Sequence, residues 1–282
     1  MKLGLHLSQD GIGYDEIRKI VLEAEKDGFV SFWLLDHLHA SPRADVQFLE
    51  CWTVISALAV ETKRIRLGAL VLNINNRNPA LLAKMAVTLD QITNGRLEFG
   101  IGAGGTNRAE RQKALGYEYE FIAYDIAFPR KASLRIEKLD EGLEIMRRMW
   151  TQETTTFNGK YYSIKDAICL PKPVQKPHMP IWIGGIGGKM IMRVIAKHAD
   201  GWNIMRASTV EDYQMSLKKL RRVCKRIGRD PDEIKTSIRI SGTIDECEEK
   251  LQRLKDIGLD LAILHIPRGR EIDYLHHFAR FT

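Results

Sequence analysis

The chain has 282 residues, of which 44% are hydrophobic and 28% are charged, a composition that supports a large apolar core and excludes disordered and fibrous proteins. Its four cysteines are far apart and form no Cys-x-x-Cys pair, so neither a zinc site nor a disulfide framework is indicated. A net charge of +7 could suit an anionic ligand or nucleic acid, but basic and acidic residues are interleaved along the predicted helices, which favours a solvated surface.

The N-terminal residues and the lengths of the apolar runs indicate where in the cell the protein is found. Met1 to Ser8 run directly into a strand-like pattern without a cleavable apolar segment. No later apolar run approaches the roughly 20 residues that a membrane span requires. We therefore expect a cytoplasmic protein that works without a membrane or nucleic-acid partner.

The first third of the chain predicts four strands separated by helices. Apolar runs predict strands at 2–8, 31–36, 65–73 and 96–102. Helical spacing of apolar residues predicts a helix over 14–26, a second through Phe48, Trp52, Ile55 and Ala59, and a third from Asn78-Pro79 through Leu82, Met85, Leu89 and Ile92. Strands therefore alternate with helices from the start.

The pattern weakens over residues 106–128, where Tyr117, Tyr119, Phe121 and Tyr124 stand among charges, as in a lid or a structured insertion. A helix resumes near Pro129 and runs to Trp150. Within the following 151–180 segment, residues 154–170 predict a hairpin that turns at Asn158-Gly159.

The last third of the chain repeats the alternation of strands and helices. Strands are predicted at 181–184, 201–205, 235–241 and 261–267. Helices are predicted at 188–199, from a capping residue Thr209 through Ile227, from Ile244 through Leu254, and at 272–281. Eight strand–helix units favour an α/β protein of the (β/α)8 TIM-barrel type over an open doubly wound sheet, with insertions after the fourth strand and before the fifth. We expect one domain over residues 1–282.

Ligands of such a barrel bind at the carboxyl ends of its strands, where the sequence places several candidate groups. Asp36-His37 ends the second strand, so that His37 could donate a hydrogen bond or pass a proton while Asp36 holds its tautomer or touches the ligand. Alternatively, this pair only caps the next loop. His6 and His265 are better explained as core-edge histidines with satisfied hydrogen bonds.

Two glycine-rich strand ends complete the candidates. Gly102, Gly104 and Gly105 would let backbone amides approach a flat ring or a phosphate, although a tight turn with nothing bound has the same pattern. Residues 184–188 join a strand to a helix N-terminus, which suits a phosphate. This is not a P-loop, because Met190 stands where Ser or Thr must bind magnesium. Ligand-spaced metal motifs and nucleophile motifs are absent from the sequence.

Several stretches together resemble the bacterial luciferase-like superfamily, and especially its coenzyme F420-dependent branch. They are Phe32-Trp33-Leu34-Leu35-Asp36-His37, Leu67-Gly68-Ala69-Leu70-Val71, Arg77-Asn78-Pro79-Ala80-Leu81-Leu82-Ala83-Lys84, Asn94-Gly95-Arg96-Leu97 with Gly100-Ile101-Gly102-Ala103-Gly104, and Pro180-Ile181-Trp182-Ile183-Gly184-Gly185 with Ala199-Asp200-Gly201-Trp202. Each motif is loose alone, but their order and spacing make the set specific, and the likeness covers nearly the whole chain.

The resemblance implies a barrel that binds a flavin or deazaflavin at its carboxyl end, with Asp36 and His37 as catalytic residues beside the ring. It implies a non-proline cis peptide at Leu70-Val71 behind the ring and a phosphate at 184–188. Some deazaflavin relatives carry a Glu after the fourth-strand glycines; Gly105 stands here, which gives His37 more weight as proton donor. The full predicted cofactor-binding set is His6, Leu70, Val71, Asn73, Gly102, Ala103, Gly104, Gly105, Gly184, Gly185, Ile186, Gly187 and Gly188.

The leading functional hypothesis is therefore an oxidoreductase that transfers a hydride between coenzyme F420 and an organic small-molecule substrate, without a metal. The alternative in the same family is a monooxygenase that uses reduced FMN and oxygen. A hypothesis of another class is a non-catalytic flavin-binding barrel or a basic nucleic-acid-binding barrel. A homodimer is expected from the resemblance only.

Overall fold

The computed structural model describes residues 1–39, 46–105, 117–205 and 209–282. The strands are β1 (Lys2–Leu7), β2 (Ser31–Leu34), β3 (Arg66–Ala69), β4 (Leu72–Asn73), β5 (Leu97–Gly102), β6 (Thr154–Asn158), β7 (Ser163–Ile168), β8 (Ile181–Gly185), β9 (Gly201–Ile204), β10 (Lys235–Ile240) and β11 (Leu261–His265). The helices are α1 (Tyr14–Lys26), α2 (Cys51–Glu61), α3 (Pro79–Thr93), α4 (Tyr117–Ala123), α5 (Ala132–Thr151), α6 (Lys189–His198), α7 (Val210–Ile227), α8 (Ile244–Lys255) and α9 (Glu271–Ala279), with a 3-10 turn at Pro231–Glu233.

Eight parallel strands close into a barrel in the order β1, β2, β3, β5, β8, β9, β10 and β11, and β11 pairs back with β1. Helices follow the strands and cover the outside. This confirms the predicted (β/α)8 barrel. The prediction of one continuous third strand over 65–73 is wrong, because β3 ends at Ala69 and the chain resumes as the short β4, which pairs only with β5.

Local capping chemistry fixes several helix ends where the sequence places them. The Asn78 side chain accepts hydrogen bonds from the amides of Ala80 and Leu81 at the start of α3, and the Thr209 hydroxyl accepts from the Asp212 amide at the start of α7. Both predicted caps are confirmed.

Three local predictions are wrong. Helical spacing predicts Ile92 on α3 and Ile227 on α7 to face inward, but both are exposed: the buried face of α3 passes through Asp90 and Thr93 instead, and α7 has no buried residue after Cys224. The hairpin forms, but Asn158 pairs with Ser163, so the loop is 159–162 rather than a two-residue turn at Asn158-Gly159.

Two apolar cores share the sheet. The larger lies between the outside of the barrel and the helices and contains all four cysteines, which are buried and unpaired with one another. The smaller fills the barrel interior around Trp33 and Trp182, whose rings meet edge to face with centroids 6.0 Å apart. The Trp33 indole N–H donates to the Ser31 hydroxyl at 2.8 Å, and that of Trp182 donates to the Glu98 carboxylate at 2.5 Å.

Glycines on neighbouring strands make room for these two rings. A Cβ on Gly68 would lie 2.8 Å from the Trp33 ring, and a Cβ on Gly201 would overlap the Trp182 ring. The part of the barrel interior that holds Trp33 and Trp182 is called the lower half below. It is filled by these two side chains, which pack against the backbone of glycines.

The predicted insertion at 106–128 falls partly outside the described residues, which resume at Tyr117. Phe121 of α4 is buried and stacks on Phe128 with ring centroids 4.2 Å apart, whereas Tyr124 is exposed. The described part of this segment is therefore a packed helix and turn.

Candidate active site

A cavity of about 690 Å³ opens at the carboxyl ends of the strands, where sequence reasoning places the ligand. Thirteen of the fifteen predicted site residues line it: Asp36, His37, Leu70, Val71, Asn73, Gly102, Ala103, Gly104, Gly105, Gly184, Gly185, Ile186 and Gly188. The ends of β2, β3, β5 and β8 therefore converge on one hollow.

Gly187 and His6 are the two predicted site residues that do not line this cavity. Gly187 lies between two lining residues and has a positive φ of 75°. The structure corrects the placement of His6: its side chain is fully buried inside the barrel, with Nδ1 2.9 Å from Nδ1 of His265. Burial lowers the pKa of His6 well below its usual value, and the positive charge of Arg239 lowers it further.

The Leu70–Val71 peptide is cis, as the resemblance implies. It interrupts the third barrel strand and carries the Val71 side chain across the mouth of the barrel. A Cβ on Gly102 would lie 2.8 Å from Val71 Cγ2, and a Cβ on Gly184 would lie 3.0 Å from Cγ1. Val71 is thus seated on two glycines from two other strands, which forms an apolar floor for the cavity.

Asp36 organises the backbone beside this floor. Its carboxylate accepts hydrogen bonds from the Asn73 amide at 2.8 Å, from the Asn76 side chain at 3.0 Å and from both terminal nitrogens of Arg77 at 2.9 and 3.0 Å. Burial acts to lower the pKa of Arg77, but the charge and hydrogen bonds of Asp36 together with the charge of Glu50 outweigh it, so the pKa is raised. These bonds make Asp36 a positioning residue for the β4 region.

His37 is oriented by a carboxylate that sequence reasoning did not find. Its Nδ1 lies 3.0 Å from Oε2 of Glu120 on α4, and the other carboxylate oxygen of Glu120 accepts from the Leu38 amide. Glu120 is buried, with 3% of its side chain exposed. The hypothesis that Asp36 holds the tautomer of His37 is therefore corrected: the carboxylate that contacts the imidazole is that of Glu120.

Gly104, in the loop that follows β5, packs against the side chains of Asn73 and Arg135. A Cβ on Gly104, whose φ is 73°, would overlap the Asn73 side chain, and that side chain accepts from the amide of Asn75. On the other side, buried Arg135 donates from Nε to the Gly104 carbonyl at 3.0 Å. This loop is therefore braced from both sides.

Three cationic residues missed by sequence reasoning line the cavity: Arg135, Lys189 and Arg239. Asn203 lines it too, with its amide donating to Ser237 at 3.0 Å. Arg239 and Asn203 were findable in principle, because they stand on strands β10 and β9 at the inward-facing period. Glu120 and Arg135 carry no such signal, since α4 lies within the weakly patterned segment 106–128 and α5 follows it.

Elsewhere on the described residues, Glu23, Asp27 and His276 bring ligand atoms together at the surface, where α1 leads into β2. This is the end of the barrel opposite the cavity, and exposed acidic groups of this kind are common without an ion. In the described part of the chain, every helix is too short or too polar to cross a bilayer.

The closed parallel barrel, with its cavity at the carboxyl ends of the strands, places the protein among the TIM-barrel enzymes. Within that class, the model of the luciferase-like monooxygenase family matches residues 1–278. The chain belongs to this family, which confirms the family predicted from the motifs.

Three individual proteins that resemble this chain are 19–27% identical to it. An F420-dependent glucose-6-phosphate dehydrogenase of Kineococcus radiotolerans is 27% identical over 248 residues, which are 87% of this chain and 69% of that protein. An F420-dependent secondary alcohol dehydrogenase, solved with an F420-acetone adduct, has a TM-score of 0.80 at 19% identity, over 100% of this chain and 98% of the other. A monooxygenase, RslO1, of Streptomyces bottropensis has a TM-score of 0.77 at 19% identity, over 99% and 98%. The two solved structures share the fold of this chain.

Proposed function

We propose that this protein is an F420-dependent oxidoreductase that transfers a hydride between the deazaflavin and an organic small-molecule substrate in the mouth cavity. The observation that carries the proposal is the floor of that cavity, where Val71, next to a cis peptide, is seated on Gly102 and Gly184. The two glycines make room for the Val71 side chain, so a flat ring can lie against this apolar floor.

The residues present fit the cofactor in two further respects. Gly188 is the N-cap residue of α6 and provides no side-chain cap, so the first amides of that helix can receive an anionic group. Lys189 follows directly and lines the cavity, as does Arg239. These groups suit the phosphate and acidic tail of a deazaflavin, whereas Val71 and the glycines suit its ring.

When bound, the deazaflavin supplies or accepts the hydride at its ring. The chain's own part is to position the substrate and to move one proton. Glu120, as a carboxylate, favours a proton on Nδ1 of His37, so proton exchange with the substrate oxygen falls to Nε2. Asp36 and Arg77 hold the Asn73 region in place, and do not exchange protons with the substrate.

The names of the relatives support F420 over FMN. The Kineococcus relative is named as an F420-dependent dehydrogenase, and the alcohol dehydrogenase of the same fold was solved with an F420 adduct. The second candidate is a monooxygenase that uses reduced FMN and oxygen. It is favoured by the family's description and by the monooxygenase that shares the fold.

The first experiment is a titration of the purified protein with F420 and, separately, with FMN, followed by quenching of cofactor fluorescence. We expect saturable quenching of F420 and weaker quenching of FMN. Tight binding of FMN with no binding of F420 would reverse the order of the two candidates.

The second experiment tests His37. Replacement His37→Ala should lower the rate of substrate-dependent F420 turnover by about 10²–10⁴-fold, the usual contribution of a positioned acid or base, and leave F420 affinity unchanged. Glu120→Gln should lower it less, because the imidazole stays in place. His276→Ala, on the exposed surface, serves as the control. Unchanged turnover in His37→Ala would contradict the assigned role.

We also propose, from the resemblance and the sequence, a cytoplasmic homodimer of one domain per chain that acts on a small molecule and does not bind nucleic acid. Sedimentation analysis tests the dimer. Steeply salt-dependent binding to DNA would contradict the last point.

A further inference from the structure

The helix α4 carries Glu120, which orients His37, and the position of α4 depends on contacts outside the helix. It has seven residues, and an isolated helix of that length is not stable in water. The rest of the chain must therefore hold it in place. The connecting segment 124–131, which joins α4 to α5, provides contacts of this kind.

Two phenylalanines attach α4 to the connecting segment. Phe121 on α4 is buried and lies nearly parallel to Phe128, with ring centroids 4.2 Å apart and an angle of 10° between the rings. The Arg135 guanidinium lies over Phe128, 4.7 Å from the ring centroid. Phe128 thus links α4 to the first turn of α5.

Arg135 also joins the connecting segment to the loop that follows β5. Its Nη1 donates to the carbonyls of Pro129 and Arg130 at 2.6 and 2.8 Å, and its Nε donates to the Gly104 carbonyl at 3.0 Å. The Arg135 side chain is almost completely buried, with 1% exposed. Its guanidinium therefore holds together two segments that meet beside the mouth cavity.

The charge of Arg135 is unusual for a side chain buried to this degree. Its acceptors are carbonyl groups, and in the described part of the chain it forms no ion pair with a carboxylate. A buried cation without a counter-charge is costly, so stability alone does not favour it. A guanidinium does provide geometry, because it is planar, donates in several fixed directions and stacks on a ring. An ammonium group lacks this combination.

We propose that Arg135 is a positioning residue for His37: it holds the connecting segment against the Gly104 loop, so that α4 presents Glu120 to the imidazole. This inference rests on the proposed oxidoreductase function, in which His37 exchanges the proton. It adds that one buried side chain fixes the group that moves the proton relative to the loop at the cavity. Arg135 acts on the reaction through Glu120.

The first test needs no cofactor. It measures which imidazole nitrogen of His37 carries the proton, from the chemical shifts of the ring nitrogens at a pH where the ring is neutral. In the wild type we expect the proton on Nδ1, toward Glu120. Arg135→Lys keeps the charge but loses the planar fork, and should shift the proton toward Nε2. The matched control is Arg148→Lys, since Arg148 stands on the same helix and also lies over a phenylalanine ring, that of Phe157.

The second test compares kcat for F420 turnover in single and double variants. Arg135→Lys and Glu120→Gln should each lower kcat by up to about tenfold, the size of one positioned hydrogen bond. If Arg135 acts through Glu120, the double variant is no slower than the slower single variant. Losses that multiply in the double variant would show a role independent of Glu120 and would overturn the proposal.

An unchanged proton position on His37 in Arg135→Lys would also overturn it. If that variant fails to fold, Phe128→Leu removes the ring beneath the guanidinium and should shift the proton in the same direction. A protein whose variants shift the proton of His37 but which does not bind F420 retains the positioning role and loses the proposed function. The two failures are therefore distinguishable.

Discussion

Gly188 at the mouth of the barrel has the opposite role to the glycines in the lower half of its interior. In the lower half, Gly68 and Gly201 lie against the rings of Trp33 and Trp182, which fill the space that the missing side chains leave. At the mouth, Gly188 faces open space, with no atom within 4 Å of the position its Cβ would take. Gly68 and Gly201 thus complete a packed core, whereas Gly188 leaves space open in the cavity; Gly102 and Gly184, also at the mouth, seat Val71.

This difference predicts that some glycine substitutions lower the stability of the fold and others lower ligand affinity. Substitution of a glycine in the lower half creates overlap with a ring that has nowhere to move, so the cost falls on folding. Substitution of Gly188, which lines the cavity, meets no protein atom at its Cβ, so the cost falls on the ligand, whereas Gly102 and Gly184 are covered by Val71. The predictions below test this division.

The largest expected effect is on ligand binding by Gly188→Phe. Gly188 lines the cavity and a Cβ there meets no atom within 4 Å, so we expect the larger side chain to compete with the ligand and F420 affinity to fall by at least about 100-fold, or about 2.7 kcal/mol, with little change in melting temperature. The matched control is Gly13→Phe: Gly13 is also an N-cap glycine with no atom near its Cβ position, and it does not line the cavity. Equal loss of affinity in both variants would contradict the division.

Next in size is the effect of Gly201→Ala on folding. A Cβ there overlaps the Trp182 ring, and overpacking of this kind costs about 1–3 kcal/mol. Chemical denaturation should show this loss, whereas F420 affinity of the folded fraction should be unchanged. Gly188→Ala provides the comparison and should retain full stability. A stable Gly201→Ala protein with impaired F420 binding would reverse the assignment.

Buried His6 and partly buried His265, whose rings contact each other inside the barrel, make stability depend on pH. Burial lowers the pKa of His6 and His265 in the folded protein from the ordinary value of 6.5, and the charge of Arg239 adds to it. Below about pH 6.5 the unfolded chain therefore binds more protons, and stability falls by up to about 1.4 kcal/mol per pH unit for each histidine. Stability is fully present above that pH.

Denaturation at pH 7.5, 6.5 and 5.5 measures this slope, and His6→Met should reduce it by the share that His6 contributes. Other buried groups keep a background slope, since burial also lowers the pKa of His198. The difference between the wild type and the variant is therefore the decisive quantity. An identical slope in both would show that His6 is not the titrating group.

The smallest expected effect is that of Ser31→Ala in the lower half. The Trp33 indole N–H would lose its acceptor at 2.8 Å and stay buried, which costs about 1 kcal/mol. F420 affinity should not change. A measurable loss of cofactor affinity would show that packing around Trp33 reaches the mouth.

The alternation of strands and helices, the caps at Asn78 and Thr209 and the strand ends at Asp36 and Gly102 were predictable, because each depends on residues close in sequence. The exposure of Ile92 and Ile227 was not, since a shift of one residue moves the inward face of α3 from Ile92 to Thr93, and spacing does not show that α7 has no buried residue after Cys224. The hairpin was predictable as a pair of strands, but its loop was set by the pairing of Asn158 with Ser163.

The sequence by itself determined the barrel, the family and most of the cavity wall, because hydrophobic periodicity and glycine-rich strand ends are local signals. Only the tertiary structure decided that Glu120 orients His37, that Asp36 binds Arg77, and that His6 lies beneath the cavity. Each of these contacts joins residues far apart in the chain, and side-chain hydrogen bonds leave no periodic trace in a sequence. The sequence likewise does not distinguish a glycine that packs against a ring from one that lines the cavity, since that difference depends on which side chains neighbouring strands place beside it.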